Sequence, residues 1–368
     1  MCVTFTVDLR DECGAEQQED NLMHGLLATA ALLMWAQETQ PPRLEKPKPR
    51  KTEAPVLSSR GGLALAYDDN ILEMNEKQID QLEDGTRPGK FKIEDPDEFV
   101  TTAGVELELQ ARLLQEPLTF GLQLEAHLYQ ESSIANYEEY RLFVKRNFGK
   151  HEARIEYSVE WDRYHRELEI VPGSNLWESA YYGEHRIEFS YRHRVSEKAW
   201  LRGHLGGVLR DFDSPFEFRD QRGYFLGLRP TVEPVHGWKI FLGYEYKSVE
   251  SAAGPTEPDT SYDQHEVEPG TSVELMAGRL EISLRHRLAL RTYTTGNSFL
   301  ADPAHVDRED DRQRTILELR IKPGKGWSLD ARYSRWVVRS DRPFDIGDSA
   351  EELGSRRQVF SIGVSYEF

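Results

Sequence analysis

The chain has 368 residues, with 64 acidic against 46 basic side chains, which gives a formal net charge of −18 at pH 7. Its mean hydropathy is −0.65, and no stretch approaches the roughly 20 apolar residues that a membrane-spanning helix requires. The acidic balance argues against nucleic acid as a partner, because binding to a phosphate backbone depends on clustered basic residues. The length fits either two soluble domains or one large β-barrel. A membrane barrel is compatible with this composition, since only alternate residues of each strand face lipid.

The only continuous apolar run covers residues 25–36 (GLLATAALLMWA). At about a dozen residues it is too short to span a bilayer, but it has the length of a signal-peptide core. We therefore predict that residues 1–36 are an N-terminal extension and signal peptide; a short buried helix is the alternative. Both cysteines, Cys2 and Cys13, precede this run. A mature chain cut after it would have no thiol for a metal site, a disulfide or a nucleophile.

Residues 37–58 are rich in proline and charge without an apolar period, which predicts a flexible periplasmic tether. From residue 59 to residue 368, apolar and polar residues alternate with the period of two that is typical of half-buried strands. About fourteen segments carry this alternation, and they predict one antiparallel transmembrane barrel of about 14 strands, with 12 or 16 as alternatives. The segments are 62–67, 105–113, 120–128, 140–145, 153–162, 186–192, 201–210, 224–228, 238–247, 273–277, 280–291, 317–321, 327–333 and 358–368.

The links between these segments alternate strictly in length. Outer-membrane barrels have short periplasmic turns and longer extracellular loops, whereas a soluble β-sandwich, the alternative that also alternates, has no such requirement. The long links are 68–98, 130–136, 165–180, 213–220, 251–267, 294–312 and 340–356. The short links are 114–117, 148–151, 195–198, 233–237, 277–279 and 322–326.

The chain ends on an amphipathic strand whose last residue is aromatic. Ser361, Gly363, Tyr366 and Phe368 stand in an order that resembles the C-terminal β-signal of bacterial outer-membrane proteins. The resemblance covers eight residues and identifies no specific family. It implies location in the outer membrane, contact with outer-membrane lipid, and membrane insertion by a barrel-assembly machinery that recognises this strand.

The polar positions of the predicted strands carry many arginine and acidic residues. Because unpaired buried charge is very costly, this face must contain water or extensive ion pairs. We therefore expect a porin-like channel for small hydrophilic, and in particular anionic, solutes. The alternative is a structural or surface-interaction barrel with a closed, salt-bridged lumen. The predicted pore-lining residues are Arg154, Glu156, Arg186, Glu188, Arg192, Arg202, Arg210, Arg229, Glu281, Arg285, Arg287, Glu318, Arg320, Asp330 and Arg332.

Enzymatic motifs are absent from the sequence. There is no Gly-x-Ser-x-Gly, no His-Glu-x-x-His and no phosphate-binding loop, so we predict no enzyme, no cofactor and no metal site. A membrane-embedded envelope hydrolase is a second alternative, because a catalytic triad is defined by geometry and not by sequence spacing. The long links contain acidic groups, such as those at 68–69, 94–98 and 309–311, whose oxygen atoms could hold Ca²⁺ but lack the EF-hand spacing. The oligomeric state is not predicted.

Overall fold

A computed structural model describes residues 55–85, 90–113, 116–169, 176–300, 302–341 and 354–368. The predicted signal segment 1–36 and most of the predicted tether lie outside these residues. The described part contains one α-helix, α1 (Glu76–Glu83), and two 3₁₀ turns, at Ser133–Ala135 and Glu217–Arg219. No helix in these ranges has the length and apolar character to cross a membrane, an observation that does not bear on strands.

Fourteen antiparallel strands are present within the described ranges, as the alternation predicts. They are β1 Val56–Asp68, β2 Glu98–Leu113, β3 Glu116–Tyr129, β4 Tyr137–Phe148, β5 His151–Glu169, β6 Trp177–Ser196, β7 Ala199–Phe212, β8 Gln221–Val235, β9 Trp238–Ser251, β10 Tyr262–Leu275, β11 Leu280–Tyr293, β12 Glu309–Gly324, β13 Trp327–Asp341 and β14 Arg356–Glu367. The strand number is therefore 14, and the alternatives of 12 and 16 are excluded. β1 begins at Val56, slightly before the predicted barrel boundary at residue 59.

The sheet closes between its first and last strands. β1 pairs with β14 so that Leu63 lies opposite Val364 and Leu65 opposite Ile362. Each of the other strands pairs with its neighbours in sequence order, which gives a closed barrel. Closure leaves no strand edge in the sheet, and this is what a β-structure needs in lipid, where an unpaired backbone amide has no water to bind.

The links alternate in length around the barrel, which confirms the prediction. The long ones are 69–97, 130–136, 170–176, 213–220, 252–261, 294–308 and 342–355, and the short ones are 114–115, 149–150, 197–198, 236–237, 276–279 and 325–326. Tight turns need a left-handed residue, and glycine supplies it at Gly149 (φ 61°) and Gly237 (φ 79°). The strand ends that the long links join all lie at one end of the barrel, which we call the long-loop end.

The outer surface of the barrel is apolar. Leu63, Leu226 and Ile362 are 59, 49 and 53% exposed, and leucine, isoleucine, valine and tyrosine occupy most positions of the same phase on the other strands. Aromatic side chains gather where the strands end: Trp327 contacts Tyr366, with ring centroids 4.8 Å apart. A soluble sandwich would place these residues in a shared core, so this arrangement excludes the sandwich alternative.

The long-loop end is packed by its own loops. Ile71, Leu72, Met74 and Ile93 of link 69–97 form a buried cluster with Tyr164 of β5. Two of the predicted acidic groups are held by arginine: the Arg357 guanidinium donates to Asp68 at 2.5 Å, and that of Arg308 to Asp310 at 2.8 Å. These two carboxylates are therefore occupied by ion pairs.

Candidate functional site

The candidate site is the inner wall of the barrel, formed by the strand positions that alternate with the exposed apolar residues. All fifteen residues predicted to line a pore have this inward phase. Arg202, for example, lies between the outward Leu201 and Gly203, and Glu318 lies between the outward Leu317 and Leu319. Their part in solute passage stays a prediction.

Several carboxylates of the wall are each shared by two arginines. Glu156 on β5 accepts from the Arg154 guanidinium and lies 3.4 Å from the Nε atom of Arg141 on β4. Glu188 on β6 lies 3.1 Å from both Arg186 and Arg202, the latter on β7. Sharing restricts the orientation of both guanidinium groups, because each carboxylate oxygen faces a different arginine.

Glu268 on β10 is the most enclosed of these acidic groups, with 3% of its side chain exposed. It pairs with Arg229 on β8 and with Arg287 on β11, both at 2.7 Å. Arg229 reaches it across β9 at Gly243, whose missing side chain leaves the path open. Glu268 is not among the predicted pore-lining residues, because Pro269 interrupts the alternation and the sequence predicts a long link at 251–267, which is wrong from residue 262 onward. The structure begins β10 at Tyr262, and Pro269 pairs only with β9, since it has no N–H to donate to β11.

The wall of β11–β13 carries an excess of positive charge. Glu318 is shared by Arg285, at 2.8 Å, and by Arg332, at 3.7 Å. Arg314 lies directly opposite Arg287 in the β11–β12 register and stacks on the Trp336 ring, 4.2 Å from its centroid. Within the described residues, no carboxylate pairs with Arg314, and its Nε atom is buried without a hydrogen-bond partner.

The remaining predicted residues form pairs nearer the two ends of the strands. These are Arg192 with Glu152 at 3.0 Å, Arg210 with Glu184 at 2.5 Å and Arg320 with Asp330 at 2.6 Å, and Glu281 lies opposite Arg320 in the strand register. The partners Glu152 and Glu184 lie on strands adjacent to those of their arginines, so these pairs also cross-link the wall.

A repeated stack of glycine, phenylalanine and arginine lines the wall, and the sequence did not predict it. The Phe143 ring of β4 lies flat over Gly121 of β3, where an added Cβ would meet ring carbons at 2.1 Å. The Arg154 guanidinium covers the other face of that ring at 4.0 Å. The same arrangement recurs twice, in Gly206 with Phe225 and Arg186, and in Gly270 with Phe241 and Arg229. The stacks hold arginines against the wall by cation–π contact.

A recess of about 220 Å³ lies along the inner wall of β6–β11. Four arginines and four glutamates line it, together with His204, whose Nε2 atom lies 2.8 Å from Glu245. The charged residues of the recess are Arg186, Arg202, Arg229, Arg287, Glu188, Glu245, Glu266 and Glu268. Such a lining suits water and small polar molecules, because the guanidinium and carboxylate groups retain hydrogen-bonding capacity toward the open space.

The four residues of the predicted insertion signal divide between the two faces of β14. Ser361 and Gly363 point inward, and an added Cβ on Gly363 would lie 3.2 Å from the Ala64 side chain. Tyr366 and Phe368 point outward, and their rings make an edge contact with centroids 4.7 Å apart. Recognition of this strand by an assembly machinery stays a prediction.

A closed antiparallel barrel with an apolar outer surface, a charged inner wall, short turns at one end and long loops at the other is the architecture of outer-membrane barrels. The chain is an outer-membrane β-barrel. No family model matches the sequence, and no curated protein matches it either.

Several solved outer-membrane barrels are similar in structure. One is CdiB from Acinetobacter baumannii (TM-score 0.43, 10% identity), where 84% of this chain aligns with 60% of that one. This chain therefore spans less than two thirds of CdiB. Another is the outer-membrane expressed OmpT of Vibrio cholerae (TM-score 0.46, 9% identity; 87% of this chain, 99% of that one). A third is an anion-selective porin from Comamonas acidovorans (TM-score 0.41, 10% identity; 86% and 99%).

Proposed function

We propose that the barrel is a channel, and not an enzyme, for small hydrophilic solutes, with a preference for anions. The observation that carries the proposal is the guanidinium of Arg314, which has no carboxylate partner among the described residues and lies opposite Arg287 in the strand register. Arg285 and Arg332 next to it share a single carboxylate, that of Glu318. This part of the wall therefore has more cations than carboxylates, and an anion that passes along it supplies the missing negative charge.

The ion pairs elsewhere in the wall support the same function. Carboxylates shared between arginines hold the guanidinium groups in fixed positions, which keeps the field of the wall constant while solutes pass. The recess beside β6–β11 provides room for hydrated solutes next to these charges. The rival function is that of a closed structural barrel, which the same cross-strand pairs would stabilise.

Conductance of the full-length chain in planar lipid bilayers separates these functions. We expect stable conductance, and in a KCl gradient a reversal potential with the sign of anion preference. Silence at all voltages would favour the closed barrel, and conductance with cation preference would refute the role assigned to the arginines.

Two variants test where the selectivity arises. Arg314→Gln removes one inward charge, and Arg335→Gln removes one charge from the outward phase of the neighbouring strand β13. We expect the first to lower the anion preference and the second to leave it unchanged, although both alter the net charge equally. Equal effects of the two variants would mean that overall charge, and not the lumen wall, sets the selectivity.

A further inference from the structure

A second cluster on the inner wall, formed by Glu125, His127 and Glu139, has the chemistry of a metal site. One ligand atom from each of the three side chains lies within 4.8 Å of the other two. Glu125 and His127 are two residues apart on β3 and therefore share its inner face, while Glu139 lies directly opposite Glu125 on β4. The cluster lies in the half of the wall that is nearer the long-loop end.

The charges in this cluster are poorly balanced. Two carboxylates directly opposite each other on neighbouring strands repel. Glu139 is paired with the Arg141 guanidinium, but Glu125 receives only the neutral amide of Gln123, at 2.6 Å. The same row continues with Glu160 of β5, which lies opposite Glu139 and pairs with Arg163. Among the described residues, Glu125 has no arginine or lysine partner, so a cation is the missing component next to it.

One ring nitrogen of His127 has no hydrogen-bond partner in the described part of the chain. The Nδ1 atom is 3.1 Å from the Thr102 hydroxyl, whereas the Nε2 atom is buried and is the one without a partner there. The nearest carboxylate oxygen, on Glu125, lies 3.7 Å from Nε2, which is too far for a hydrogen bond. An Nδ1–H that donates to Thr102 leaves the Nε2 lone pair directed at the two carboxylates, and this is how metal-binding histidines are commonly oriented. The ring is also held by stacking on Tyr137, with centroids 4.3 Å apart.

We propose that Glu125, His127 and Glu139 bind a divalent transition-metal ion, of the Zn²⁺ class, inside the barrel. Three protein ligands of this kind leave a fourth position for water. Ligand atoms about 2.1 Å from a common zinc ion lie roughly 3.4 Å apart, so no two ligand atoms, which lie within 4.8 Å of each other, need to approach by more than about 1.4 Å. The imidazole ligand favours Zn²⁺, Co²⁺ and Ni²⁺ over the oxygen-seeking Ca²⁺ and Mg²⁺.

Calorimetric titration of the full-length chain in detergent with Zn²⁺ tests the proposal without reference to conductance. We expect one site that Ca²⁺ does not compete for. His127→Ala should weaken binding by about 100-fold or more, and Thr102→Val by about 10-fold, the lower end of the cost of losing an outer-shell hydrogen bond to a ligating histidine. Titration with Co²⁺ should produce a visible absorption band that His127→Ala abolishes.

Two control variants separate this site from other histidines. His286 lies on the outer face with the same contact to a threonine, its Nδ1 atom being 2.9 Å from Thr315 Oγ1, but it is not part of a carboxylate cluster. His151 and His193 are paired on β5 and β6, with Nδ1 atoms 3.2 Å apart. We expect His286→Ala and the double variant His151→Ala/His193→Ala to keep the zinc site. Absence of Zn²⁺ binding by the unmodified chain, binding lost only in the double variant, or Ca²⁺ binding of equal strength would each overturn the proposal.

Discussion

The glycine, phenylalanine and arginine stacks make a quantitative prediction for Gly121→Ala. An added Cβ would lie 2.1 Å from two carbons of the Phe143 ring, whereas carbon atoms in ordinary contact are about 3.5–4.0 Å apart. The ring must therefore withdraw by roughly 1.5 Å. Overpacking of this kind costs about 1–3 kcal/mol, and the displaced ring also loses its contact with Arg154, at 4.0 Å, which contributes about 0.5–2 kcal/mol. We expect a loss of about 2–4 kcal/mol in the free energy of unfolding.

Urea unfolding of the full-length barrel in lipid vesicles, followed by tryptophan fluorescence, measures this loss. The matched control is Gly203→Ala on the outer face of β7, where an added Cβ has its nearest neighbour at 3.9 Å. We expect this control to be neutral or stabilising by up to about 1 kcal/mol, because alanine restricts the unfolded chain. In a Phe143→Ala background, Gly121→Ala should cost less than about 1 kcal/mol. Equal costs for Gly121→Ala with and without the ring would refute the stacking account.

Three further predictions concern the outer face, the inner wall and a loop. Leu226→Arg, in the apolar belt, should destabilise the barrel in lipid by about 2–4 kcal/mol. As a control, Leu300→Arg in link 294–308, at a position already 93% exposed, should change the unfolding free energy by less than about 0.5 kcal/mol. Equal effects of the two variants would contradict the assignment of the lipid face. Glu268→Gln leaves Arg229 and Arg287 without their shared carboxylate and should lower the free energy of unfolding by roughly 3 kcal/mol. Glu250→Gln, which breaks the exposed pair with Arg222, should lower it by less than about 1 kcal/mol in the same urea assay. Burial opposes the ionisation of Asp259 in link 252–261, but hydrogen bonds from Ser251 and Ser261 lower its pKa. Its stabilisation of the loop should therefore be complete above the unfolded value of about 3.9 and be lost as the pH falls through the folded value. The protection of this link against hydrogen exchange, corrected for the intrinsic pH dependence of the exchange rate, should fall on acidification in the unmodified chain, and a similar fall in Asp259→Asn would contradict that origin.

Much of the fold was predictable because the signal is local. The period of two places Leu280, Ile282 and Leu284 on one face and Glu281 and Ser283 on the other, whatever strand lies beside them. Link lengths also follow from short stretches of sequence, so the strand number and the difference between the two ends of the barrel could be predicted directly. The interruption at Pro269 shows the limit of this approach, because one residue without an N–H broke the pattern while the strand itself continued through pairing with β9.

The contacts of the inner wall could not be predicted in the same way. Each one depends on register and on side chains that reach across a strand: His204 meets Glu245 over Gly227, whose absent side chain provides the space. Likewise, the opposition of Glu125 and Glu139 follows from the β3–β4 register, and no motif marks the pair with His127 as a cluster.

The amino-acid sequence by itself determined that alternate residues face lipid and that the strands form one sheet of consecutive hairpins, because both depend on neighbours along the chain. Only the tertiary structure decided which arginine meets which carboxylate, which arginine has no carboxylate partner within the described ranges, and where an imidazole nitrogen lies near two carboxylates. Closure of the barrel fixes the stagger of all fourteen strands together, so these contacts belong to the whole sheet and to no single segment of the chain.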